Sequence, residues 1–188
     1  MPDRSPEPAR GDSVHLLWHD PPVAAGDYAP AIWVPLTRLL AAHRRVLAMT
    51  RRLPAEAWEA PSAIDGWSRR DALAHVASHG EQHHRPLAAA LAGAPLTEWR
   101  PDPRDAAIDT DAWNRRAVAA RRDWSIARLA GELEENLTES LRLWAAIEAG
   151  QLLLPYGLAP NLLAGVEAHA AHLDGHADEI VNGPQMLR

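Results

Sequence analysis

Apolar residues recur every three or four positions along four stretches of the chain, the spacing that lays a single stripe along a helix. In the first stretch the stripe is Ile32, Leu36, Leu39, Leu40, Val46, Leu47 and Leu53; Pro30 and Pro35 suit an opening turn, and Pro54 ends the run. A loop, "AEAWEAPSAIDGW", leads to Ser68, whose hydroxyl can cap a helix starting at Arg69 while Asp71 favours its positive end. That second helix points Leu73, Val76, Ala77, Gly80, Leu87 and Leu91 inward. Pro86 is expected to kink or divide it near Arg85, and "GAP" at 93–95 to stop it.

After a loop rich in proline and aspartate, Thr110 can cap a piece through "DAWNRRAVAARR", and Asp123 or Ser125 can cap the next. There Ile126, Leu129, Leu133, Leu137, Leu141, Trp144 and Ile147 keep a strict three-four spacing, with glutamates and arginines between them facing water and the helix expected to end at Gly150. "QLLLPYGLAP" is a connection. Leu162, Leu163, Val166, Ala170, Leu173, Ala177, Ile180 and Val181 mark the last helix, closed by "NGP" at 182–184. No alternating strand pattern competes. The fold class expected is all-α, a four-helix bundle over 28–188 in which each stripe finds a partner stripe, preceded by a flexible, proline-rich arm over 1–27.

Composition narrows the chemistry. The chain has 188 residues and no cysteine, which removes disulfides, thiolate nucleophiles and every cysteine-ligated metal site, so a metal must sit on nitrogen and oxygen. The net charge is −6 and all nineteen basic residues are arginine, without the positive excess that binds a phosphate backbone. Nucleic acid is not an expected partner. No apolar run reaches the ~20 residues of a membrane span, and the polar start "MPDRSPEPARGDS" lacks the apolar core of a signal peptide, so a cytoplasmic location and no membrane partner are expected.

Ten histidines in a chain of this length would form about half a pair at (i, i+4) by chance. There are four such pairs: His15 with His19, His75 with His79, His79 with His83, and His172 with His176. The first lies in the arm and reads as accidental. His172 and His176, one turn apart on a confident helix, can converge on one ion. At ~100° per residue they fall on the flank of the apolar stripe, as His75 does on the second helix, so a site built from both helices would lie at the bundle surface or its mouth. His43 and His84 read as solvated or singly hydrogen-bonded flank residues, and His79, His83 and His169 as structural or supporting a neighbouring ligand.

"DGWSRRDALAHVASH" resembles the G-W-S/T-x-x-D-x-x-x-H segment that opens the second helix in the DinB-like (YfiT-like) metal-binding bundle superfamily, which includes the metal-binding domain of mycothiol-dependent maleylpyruvate isomerase. "HLDGHADEI" resembles its closing H-x-x-x-H helix, and "DAWNRRAVAARRDWSIARLAGELEENL" its third-helix region, so that the resemblance covers about residues 28–183. It implies that His75, His172 and His176 are the metal ligands. It also implies a bundle with a long crossover connection, often as a homodimer, and a link to low-molecular-weight thiols such as mycothiol or bacillithiol in detoxification or stress response.

Three neutral imidazoles leave a divalent ion, zinc or nickel foremost, an open position for water, a thiolate or a carbonyl oxygen. A metal-dependent transferase or hydrolase acting on a small molecule follows, with a non-catalytic metal-binding protein or a pH-responsive helical dimerisation module as alternatives. Glu81, Glu167, Asp174 and Glu179 lie near the histidines in sequence as solvated charges, general bases or partners that orient an imidazole. Trp67 and Tyr156 are candidates for a pocket wall. Arg69 and Arg70 are candidates for an anionic substrate.

Overall fold

The computed structural model describes residues 24–93, 110–156 and 159–182. Most of the expected arm, with His15 and His19, falls outside these, as does the stretch 94–109. The described chain is all-α: helices α1 (Trp33–Arg52), α2 (Ala55–Trp58), α3 (Arg69–Ser78), α4 (Gly80–Leu91), α5 (Thr110–Ala120), α6 (Ile126–Ala145) and α7 (Leu162–Asn182), with short 3₁₀ turns and, among the described residues, no strand beyond isolated bridges. None of these helices is long and apolar enough to cross a membrane.

The stripes meet as amphipathicity requires. α1 packs along α7, α3 against α6, α5 and α7, and α4 against α6. Ile32, Leu36, Leu39, Leu73, Leu129, Leu133, Leu137, Leu162 and Ile180 are buried almost completely between them. Side-chain pairs give the directions. Arg38 and Arg45 of α1 meet Asp174 and Asp178 of α7 in ascending order, so these helices run parallel. Asn136 reaches Ala77 and Ser140 reaches His84, so α6 runs parallel to α3 and α4. Consecutive long helices that run the same way need a connection as long as themselves. The segment between α4 and α6, which includes α5, supplies it.

Local signals set most boundaries. Ser68 Oγ accepts from the Asp71 N–H at 3.1 Å, and Asp71 Oδ2 accepts from the Ser68 N–H at 3.0 Å, a reciprocal cap. Ser125, rather than Asp123, caps α6 by accepting from the Arg128 N–H. Asn161 accepts from the Ala164 N–H at the start of α7.

Four expectations need correction. The second helix divides at His79–Gly80 and not near Arg85: Pro86 is buried inside α4. The cause is tertiary, because a Cβ on residue 80 would lie 2.2 Å from Asn136 Oδ1, and the Asn136 amide donates to the Ala77 carbonyl at the break. The α6 helix ends at Ala145, short of Gly150, where the Ala146 and Ile147 N–H groups tighten onto carbonyls three residues back. The loop after Pro54 holds the short helix α2, which buries Trp58. The charges on α6 are not all solvated, since Glu132 pairs at 2.6 Å with the buried Arg121.

Candidate metal centre

The residues that open α3 build one wall of the centre. Ser62–Trp67 is a tight turn in which the Trp67 N–H donates to Ile64 O at 3.1 Å and the Ser62 N–H to Trp67 O at 2.8 Å. Gly66 adopts φ 75°, which a residue with a Cβ reaches only under strain. The turn sets the edge of Trp67 against His75, with centroids 5.2 Å apart. The Ser68 cap then fixes the helix that carries His75.

His75, His172 and His176 come together across α3 and α7. His75 Nε2 lies 3.2 Å from His172 Nε2 and 3.1 Å from His176 Nε2. Those separations match the ~3.3 Å edge of a tetrahedron whose nitrogens sit 2.0–2.1 Å from a central zinc ion. Hydrogen bonding accounts for the arrangement poorly. The acceptor-only carboxylate of Glu179, 2.5 Å from His176 Nδ1, favours a proton on that nitrogen, the tautomer that leaves a lone pair on Nε2. One proton or lone pair on His75 Nε2 can serve a single partner, yet two nitrogens face it, and the buried Nδ1 of His75 has no partner either. The three side chains could hold a metal ion.

Burial keeps the ligand atoms available. Desolvation, then His176 and His172 as neighbours, holds His75 down at about 3. Desolvation, then His176, brings His172 to about 4. Both are therefore neutral at physiological pH, the form that ligates. His75 itself is buried rather than a flank residue, whereas His172 and His176 are half-buried and border a cavity of about 570 Å³. The cavity is lined further by Trp67, Asp65, Asp111, Asn114, Arg115 and Glu179.

The remaining candidates divide sharply. Trp67 lines the cavity; Tyr156 does not, and instead sets its hydroxyl 3.4 Å from His83 Nδ1. Arg70 donates to the carbonyls of Arg122 and Trp124 below α5, so it is committed to the fold, and Arg69 is not part of the cavity wall. Asp174 faces α1, paired with Arg38 and Arg45. Glu167 is exposed, the side chain of Glu81 lies outside the described residues, and Glu179 meets His176 Nδ1.

His43 is buried, with Nδ1 unpartnered and its pKa held at about 3 by desolvation and then His84; it is not solvated. His84 shares a 2.9 Å hydrogen bond with Ser140 and fits the singly hydrogen-bonded flank residue expected of it. The correction at His43 has a tertiary cause: it sits where α1 meets other helices, and position along a single helix does not show that. The α1 stripe does hold a signal, since His43 lies four residues from both Leu39 and Leu47.

Glu179→Ala is expected to weaken metal binding about 10- to 100-fold by freeing the His176 ring and lowering its basicity. Glu179→Gln, which keeps a hydrogen-bonding group and drops the charge, should fall between. Competition against a chromophoric chelator measures both, and an unchanged affinity in Glu179→Ala would show that the carboxylate orients nothing.

No protein family, curated protein or solved structure matches the chain.

Proposed function

We propose that this chain is a four-helix bundle of the DinB-like type, with α1, α3–α4, α6 and α7 as its helices and α5 in the long crossover. In this reading His75, His172 and His176 hold one divalent transition-metal ion, zinc or nickel foremost, and the protein acts on a small molecule as a metal-dependent transferase or hydrolase. A low-molecular-weight thiol as co-substrate, a role in detoxification or stress response, and a homodimeric state follow from the same resemblance.

One observation carries the reading: three Nε2 atoms converge at 3.1–3.2 Å beside a cavity large enough for a small substrate. A bound ion would supply a Lewis acid with a position open to an oxygen or sulfur donor. The chain's own residues do the rest. Glu179 keeps the His176 proton on Nδ1 and turns Nε2 inward. Trp67 covers His75 and excludes water from that side. Asn114 Oδ1 is buried without a partner, an acceptor open to a donor on a bound molecule, and Arg115 is the one cation among the described lining residues. With no cysteine in the chain, any sulfur in the reaction must come from outside.

Elemental analysis of the purified protein is expected to return stoichiometric zinc or nickel. Cobalt(II)-substituted protein is expected to change its visible spectrum when a thiol is added, as sulfur enters the open position. Protein that takes up no transition metal at all would end the proposal, and a spectrum indifferent to every thiol tried would leave hydrolysis as the reaction class.

A further inference from the structure

The three histidines of the centre belong to a longer array. His75, His79 and His83 follow one another along α3 and α4, and His169, His172 and His176 along α7, with the two rows running in opposite directions. At one end His75 meets His172 and His176. At the other, His83 stacks on His169 with ring centroids 4.0 Å apart and planes 15° apart, and His79 lies 4.3 Å from His83 and 5.7 Å from His169. Between the two ends His79 and His172 stack at 3.9 Å.

We propose that His79, His83 and His169 form a second divalent-cation site, buried behind the first and separate from the substrate cavity. One ligand atom from each lies within 4.8 Å of the others, and ring rotations that unstack His83 from His169 would bring them to the ~3.3 Å spacing of a tetrahedral ion. His79 Nδ1 is buried without a hydrogen-bond partner, a cost that coordination through that nitrogen would remove. A stack of imidazoles held by hydrogen bonding alone would pair such a group. Among the described residues His83 Nδ1 meets Tyr156 Oη at a long 3.4 Å, while the phenol hydrogen bonds to the His83 carbonyl at 3.2 Å.

All three donors are imidazole nitrogens, and among the described residues no acid joins them, a set that suits zinc, copper, nickel or cobalt and discriminates against calcium and magnesium. None of the three lines the cavity beside His172 and His176. The second ion therefore joins α3–α4 to α7 without meeting substrate. Half-buried His83 is its route of entry, since His79 and His169 are nearly closed to solvent.

The site does not depend on the reaction proposed for the first, and metal titration tests it without an activity assay. Cobalt(II) added to metal-free full-length protein is expected to bind at two equivalents per chain. His83→Asn and His169→Asn should each bind one and keep the signal that His172→Ala removes; His172→Ala should keep the signal that they remove. Far-UV circular dichroism establishes that each variant is folded, and His83→Gln replaces any that is not. A variant of His15 and His19 to asparagine should still bind two. Saturation of the wild type at one equivalent, a second equivalent that survives in the position-83 variant, or its loss in the arm variant would each overturn the proposal.

Discussion

His172→Ala is expected to raise the dissociation constant of the ion at the cavity by about two to three orders of magnitude, and to abolish any turnover that depends on it. The magnitude follows from a ligand count. Structural zinc sites with four ligands release about 10–16 kcal/mol on binding, so each ligand accounts for roughly a quarter of that. His172 faces His75 at 3.2 Å. The fold should survive, because this ring is half-buried at a cavity edge and alanine remains a strong helix former on α7. Chelator competition on folded protein is the measurement. Undiminished affinity would show that the ion sits elsewhere or that the three nitrogens converge for no such purpose.

Metal-free protein is expected to unfold on mild acidification, with a midpoint near about pH 5. In the folded chain burial holds His43, His75 and His83 at about 3 and His172 at about 4, while the unfolded chain protonates them near the ordinary histidine value of 6.5. Between those limits the unfolded state binds more protons, so stability rises with pH across this window. The full contribution is present above the unfolded value and is lost as pH falls towards the folded ones. Each group removes about 1.4 kcal/mol per pH unit inside the window. Several acting together exhaust the ~5–15 kcal/mol that holds an ordinary domain.

His43→Leu isolates the effect from the metal ligands. It deletes a buried base whose Nδ1 has no partner and should move the midpoint to lower pH without altering ion binding. Far-UV circular dichroism against pH decides the matter. A metal-free wild type still folded at pH 3, or a His43→Leu midpoint identical to its own, would refute the account.

What could be read in the chain was what local chemistry determines. The Ser68–Asp71 cap, the end of α1 before Pro54 and the stripe of α6 depend on residues within a turn or two of one another, and each is found where the spacing places it. The division at Gly80 escaped because Asn136, on another helix, makes it. The convergence of residues 75, 172 and 176 was legible as spacing plus a motif, and it needed only that α3 and α7 be neighbours. The grouping of His79, His83 and His169 was not, although His83 stands four residues from Leu87 and His169 falls between Val166 and Leu173 within the stripe. A histidine on an apolar face reads as a core residue until another helix brings two more beside it.

Two of the three nitrogens at the cavity come from α7, and they are separated from His75 by 97 and 101 positions. Every other described helix precedes α7 in the chain, so for most of its synthesis a growing chain presents one of the three imidazoles of this centre without its two partners. Capture of the ion must then be a late event in maturation. Because closing so long a span carries an entropic penalty, detachment of α7 alone should be enough to release the ion while the remaining helices stay associated.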